Sequence, residues 1–269
     1  MYLPPTLRPR LPQSTALPCG KELTVHPLQA GEAAIYAPPF DHPDIWCGNA
    51  TVMHEIAAQM PSSPPDIVIC SIGGGGLLNG IAQALEDLAL ASTTTVIGVE
   101  TAGADSLAAA VRAGHLVTLP RITSQATSLG CARVTQTTLD VAQRANFRGV
   151  VLPDAEAAMG CWRLADDERI MVELACGVNV ALCYDGRLER ALGRKPRPDE
   201  KVVIVLCGGS NVTVDLLSEW RREYAYLEQP PQPAKEEIDD VPSIPSRIAK
   251  RAPVKRDHWE NVFQMQAKM

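Results

Sequence analysis

The chain has 269 residues, a formal charge of −6, 46% apolar residues and only 4% aromatic ones. That length suits one large domain with a mainly aliphatic core. The negative charge argues against a nucleic-acid partner and against an anionic membrane surface, although backbone groups can still bind a phosphate locally.

Residues 1–36 are rich in proline and weak in periodicity, so they read as a loosely ordered lead-in. The segment has no unbroken apolar stretch of signal-peptide type. It is poor in acidic residues before Glu22, which leaves a mitochondrial address open beside the expected cytoplasmic location. No stretch approaches the length needed to cross a bilayer. A large domain is expected over 37–227. Its first helix is expected over 49–60, capped by Asn49 with Val52, Ile56 and Met60 on one face.

Regular α/β alternation begins at Asp66. DIVICSI reads as a buried strand, GGGG as a turn and LLNGIAQAL as a helix start. TTVIGVE is the next strand. SLAAAVRA is a helix that Gly114 closes. A helix at 136–144, a strand RGVVLP and a helix PDAEAAMGCWRLADDE follow. ERIMVELACG reads as a short strand meeting a tight turn, and NVALCYDGRLERALG as a helix. VVIVLCGGS is the last strand and VTVDLLSEWRREYAY the last helix. Residues 228–269 alternate proline with charge and read as a disordered tail. The alternation implies an α/β fold: an open, mostly parallel sheet with helices on both faces, and ligands at the carboxyl ends of the strands.

Gly73, Gly74, Gly75 and Gly76 stand between a strand and a helix. Without Cβ atoms this backbone can fold round an oxyanion, and the helix start adds free N–H groups. No Lys-Ser/Thr pair follows, so this is not a P-loop, and the dinucleotide fingerprint is not matched either. Cys207 and Gly208 end the last strand, where Cys207 can face either a ligand or the core. Ser210 and Asn211 can cap a helix or touch a ligand. Glu100 ends a strand, with Ala104 and Ser106 in the turn after it; a solvated glutamate and a hard-cation ligand are both open there. The eight cysteines have no C-x-x-C spacing and read as free thiols, most of them buried. His42, between Asp41 and Pro43, reads as structural.

The phrases PPFDHPDIWCGNA, SIGGGGLLNGIAQAL, GVETAGADSL, RITSQATSLG, VELACGVNVAL and VVIVLCGGSNVTVDLL occur in this order. Together they resemble the eukaryotic L-serine dehydratase, or serine/threonine ammonia-lyase, group of the fold type II (tryptophan synthase β-like) pyridoxal-phosphate enzymes. The resemblance runs from Ala37 to Trp220. It implies that Gly73, Gly74, Gly75, Gly76 and Leu77 hold the phosphate of pyridoxal 5′-phosphate. It places Cys207 beside the pyridine nitrogen, with Gly208 lining the same pocket. Glu100, Ala104 and Ser106, with a carbonyl of Leu129, match a site for K+ or Na+. The implied reaction is β-elimination from serine or threonine, giving pyruvate or 2-oxobutyrate plus ammonia. The partners implied are an amino acid substrate, no membrane, and a second subunit: a homodimer or a full-length relative.

The family's Schiff-base lysine lies in an S-x-K-x-R-G-like segment, followed by one resembling S-S-G-N-A-G. Neither is found here. Lys21 sits in CGKELTVHP, which does not match. Lys195 and Lys201 flank a surface loop, and Lys235, Lys250, Lys255 and Lys268 lie in the tail. An N-terminally incomplete family member is therefore expected, with the smaller domain largely missing and catalysis impaired. A non-catalytic binding module is the alternative. Leu174, where the family has proline, and Asp44, where it has an apolar residue, are smaller departures.

Overall fold

The structure, a computed structural model, describes residues 38–228 and the backbone of two short strands before them. These are β1 (Val25–Leu28) and β2 (Glu32–Ile35), which pair as an antiparallel ribbon inside the expected irregular lead-in. The rest of the lead-in and the tail beyond Glu228 lie outside the described residues, as do Lys21 and the four tail lysines.

Four parallel strands form the main sheet: β3 (Ile67–Ser71), β4 (Thr95–Thr101), β5 (Phe147–Leu152) and β6 (Val202–Ile204), in the order β5-β4-β3-β6. Alternate residues of β3 feed opposite cores. Ile67 and Ile69 join one with Ile97 and Val99 of β4; Val68 and Cys70 join the other with Val96. Both faces are therefore dry, which is why β3 reads as an unbroken apolar run. Each such isoleucine contributes about 1.5–3 kcal/mol of burial energy.

Two helix layers cover the sheet. One contains α1 (Pro43–Gln59), α2 (Gly76–Asp87), α3 (Ser106–Ala113) and α4 (Gln136–Ala142). The other contains α5 (Asp154–Glu168), α6 (Leu174–Val180), α7 (Arg187–Leu192) and α8 (Val214–Tyr224). The chain runs outward from β3 to β4 and β5, then returns to the other side of β3 as β6. The order reverses between β3 and β6, and the crevice beyond their carboxyl ends is the switch point at which such sheets bind ligands.

Several local expectations need correction. The first helix begins at Pro43, not at residue 49, because proline suits the first helical position and His42 Nδ1 accepts the Asp44 amide at 3.2 Å. This confirms the structural reading of His42 and puts Asn49 inside the helix. Residues 170–173 form no strand, and ACG opens α6 rather than a tight turn. Leu174 takes the first helical position, so the family's proline there would fit the same backbone. The expected helix over 179–193 breaks at Tyr184–Gly186, where Asp185 and Gly186 take positive φ. Thr213, not Ser210 or Asn211, caps α8 by accepting the Leu216 amide at 3.2 Å. Ser106 is the first residue of α3 rather than part of a turn.

Candidate functional site

The glycine run lies at the switch point. Gly73 leaves β3, and Gly76 opens α2. Gly75 has φ +97°, a left-handed conformation in which a side chain is strained. A Cβ there would also overlap the Thr138 hydroxyl, and one on Gly74 would overlap the Phe40 ring. Gly73 faces the 3₁₀ turn Thr127–Leu129, with Leu129 Cα and Ser128 O 3.4 Å from where its Cβ would be. Leu77 is half-buried in the first turn of α2. Gly75 has no side chain to cap α2, so the helix start has free N–H groups that can bind an oxyanion.

Buried polar side chains brace this loop from beneath. Thr138 Oγ1 hydrogen-bonds Asn79 Oδ1 at 3.1 Å and Thr135 Oγ1 at 2.9 Å, and the Asn79 amide N–H donates to the Gly75 carbonyl at 2.9 Å. Phe40 is fixed by its carbonyl, which accepts from Trp46 Nε1 at 2.6 Å. None of these four was picked out from the sequence as part of the site. Phe40, Thr135 and Thr138 lie more than 30 residues from the glycines and Asn79 lies inside a helix pattern, and only the fold brings them to the loop.

Cys207 and Gly208 lie beyond β6, the strand beside β3, so the topology brings both glycine turns to one edge. Cys207 is exposed, which removes its buried-core alternative. Its amide and that of Gly208 donate to Cys176 Sγ at 3.1 and 3.3 Å. The Cys207 thiol and these amides pull the Cys176 thiol down to about 6, against the opposing effect of burial. The Cys207 thiol is pushed up by the same hydrogen bond and by desolvation. Sequence reading missed Cys176, because nothing in the spacing 176 to 207 shows that they meet.

Glu100 is 3% exposed, so the solvated-glutamate alternative does not hold. Its carboxylate accepts the Leu107 and Ala108 amides, both at 2.8 Å, at the start of α3. Burial nevertheless raises it to about 7, opposed by those two amides. Ala104, Ser106 and Leu129 are also buried. Ser106 Oγ is fully buried and has no hydrogen-bond partner among the described residues. A buried hydroxyl without a partner costs free energy and suits an oxygen-seeking ligand. The described lysines, Lys195 and Lys201, are exposed and precede β6, at the end of the sheet opposite the glycine loop.

A parallel sheet flanked by helices, with a glycine-rich loop at its switch point, is the α/β arrangement in which ligands bind beyond the carboxyl ends of the strands. The sequence profile of the "pyridoxal-phosphate dependent enzyme" family matches residues 19–208. The chain belongs to that family, in its fold type II serine/threonine dehydratase–ammonia-lyase branch. It is 39% identical over 191 residues to a "catabolic L-serine/threonine dehydratase" of Saccharomyces cerevisiae, covering 69% of this chain and 53% of that one. A human "serine dehydratase-like" protein is 42% identical over 177 residues, with 65% and 53% covered. A "putative truncated L-serine dehydratase" of the same yeast is 37% identical, with 70% of this chain and 92% of that one covered. Among solved structures, a fungal L-serine ammonia-lyase from Rhizomucor miehei superposes with a TM-score of 0.67 at 34% identity, covering 71% and 60%. The chain spans about half the length of the yeast dehydratase and the human protein. No helix among the described residues is long and apolar enough to cross a membrane.

Proposed function

We propose that this chain is the cofactor-phosphate-binding part of an L-serine/L-threonine ammonia-lyase, and that it binds pyridoxal phosphate without turning over amino acid on its own. The observation that carries the reading is the glycine loop. The left-handed Gly75, the close packing of the loop on Phe40 and Thr138 that the missing Cβ atoms allow, and its place at the switch point before the uncapped start of α2 support a backbone site for a dianion. Gly73, Gly74, Gly75, Gly76 and Leu77 would hold the phosphate, with Cys207 and Gly208 beside the ring. When bound, the cofactor supplies an electron sink for elimination at the substrate α-carbon. The hydrogen bond to Cys176 and desolvation favour the neutral Cys207 thiol, so Cys207 would stand beside the cofactor ring as an uncharged group. Glu100, Ala104, Ser106 and Leu129 would hold a monovalent cation, K+ or Na+. The unpartnered Ser106 hydroxyl supports that site.

The elimination needs a lysine as covalent anchor and base. Lys195 and Lys201 are at the wrong end of the sheet for either role. The family reaction, giving pyruvate or 2-oxobutyrate plus ammonia, would need a lysine-bearing segment, for instance from a full-length relative paired with this chain. The test is to add pyridoxal phosphate to the purified chain, reduce with borohydride and map modified lysines by peptide mass. No single stoichiometric adduct is expected; one such adduct would overturn the inactivity. In parallel, pyridoxal phosphate should bind at least tenfold tighter than pyridoxal, and Gly75→Ala should abolish that preference. Equal affinities would refute the phosphate cup itself.

A further inference from the structure

Cys176 and Cys207 meet only through the fold. Cys176 is in the first turn of α6, a helix seated tightly on α5 because Gly160 and Gly177 face each other at the crossing. Its sulfur is buried and fixed by two backbone N–H donors from the Cys207–Gly208 turn. Cys207 is exposed. The Cys176 sulfur is 3.1 Å from the amide nitrogen bonded to the Cys207 Cα. The two side chains also hydrogen-bond each other, so the thiols are direct neighbours.

Four other described thiols are poorer candidates. Burial pushes Cys70 and Cys183 up to about 12, and it also raises Cys161 and Cys131. None of these combines an exposed sulfur with a neighbouring thiol that amides hold towards the thiolate. The arrangement has the parts of a dithiol exchange site, an accessible attacking sulfur and a resolving sulfur beside it.

We propose that Cys176 and Cys207 are a modification site for small-molecule disulfides, of which oxidised glutathione is the type, and close to an intramolecular disulfide. Cys207 passes its proton to the Cys176 sulfur and attacks one sulfur of R–S–S–R. That S–S bond breaks, a Cys207–S–S–R bond forms, and RS− leaves, taking the proton from Cys176 to become RSH. The Cys176 thiolate then attacks the Cys207 sulfur, the mixed disulfide breaks, and a second RS− leaves. Two cysteine sulfurs are oxidised and the two sulfurs of the reagent are reduced. The step needs no cofactor, so it stands apart from the pyridoxal-phosphate reading. Its product would lock the turn that faces the glycine loop.

The full chain without cofactor is treated with oxidised glutathione at pH 8 without oxygen, quenched with N-ethylmaleimide and mapped by non-reducing tryptic mass spectrometry. A crosslink between the peptides 170–187 and 202–221 is expected, at least tenfold faster than the modification of any other cysteine. Fragment ions must place the bond on Cys176 rather than Cys183, which shares its peptide. Cys176→Ser should instead accumulate a stable glutathione adduct on Cys207, and Cys207→Ser should leave Cys176 free. A lasting Cys207 adduct without crosslink in the unsubstituted chain would overturn the proposal, as would a crosslink through any other pair. The unsubstituted chain decides this even if a serine variant fails to fold.

Discussion

At the residue scale, Glu100 shows how one position can hold two kinds of information. Its place at the end of an apolar run is legible in the sequence, but its burial is not. Only the packing of α3 over the strand end shows that its carboxylate accepts two helix amides out of water. Folded, it titrates at about 7 against an ordinary value of 4.5. Between those values the folded chain holds a proton that the unfolded chain has lost. Stability conferred by the protonated acid is thus present below about 4.5 and declines as pH rises through about 7, by about 3 kcal/mol. A K+ ion beside the carboxylate would offset this loss. Unfolding in urea should therefore show stabilisation by KCl over tetramethylammonium chloride that is larger at pH 8 than at pH 5. Glu100→Gln should remove the difference, whereas equal salt effects at both values would count against the cation site.

At the scale of elements, the crossing of α5 and α6 fixes the wall that carries Cys176. A Cβ on Gly160 would overlap the Gly177 carbonyl, and one on Gly177 would overlap the Ala157 carbonyl and the Cys161 sulfur. These atoms are backbone or tightly packed, so the helices must part to admit a methyl group. Gly160→Ala should cost about 1–3 kcal/mol, read as a lower urea midpoint at unchanged slope. An unchanged midpoint would mean that the crossing is looser than described. The glycines themselves are plain in the sequence, yet Gly160 reads as an unremarkable residue inside a helical pattern. The misplaced strand over 168–177 has a related cause: LACGVNV is a short, largely apolar run because α6 is buried along its whole length, and periodicity cannot separate a short buried helix from a strand.

For the whole molecule, the decisive fact is that β6 returns beside β3. This places a turn at 207–208 next to a loop at 73–76 and makes one edge of them. If that edge binds the cofactor phosphate, pyridoxal phosphate should raise the unfolding free energy by about 3 kcal/mol at a hundredfold excess over its dissociation constant. A thermal melt with and without the cofactor measures it. A midpoint that does not move would leave the fold intact and remove the binding function.

The sequence by itself determined the α/β alternation, the glycine run after the first buried strand, the family and the lack of its lysine motif. These rest on local patterns: apolar runs, glycines that follow a strand, and phrases of ten or more residues. The tertiary structure alone decided which side of β3 the last strand joins, that Glu100 is buried and Cys207 exposed, and that Asn79, Thr135 and Thr138 lie beneath the loop. It also decided that Cys176 touches the turn after β6. Each of these is a meeting of segments distant in the chain, set by strand order and helix packing, and neither is written in the spacing of any single stretch.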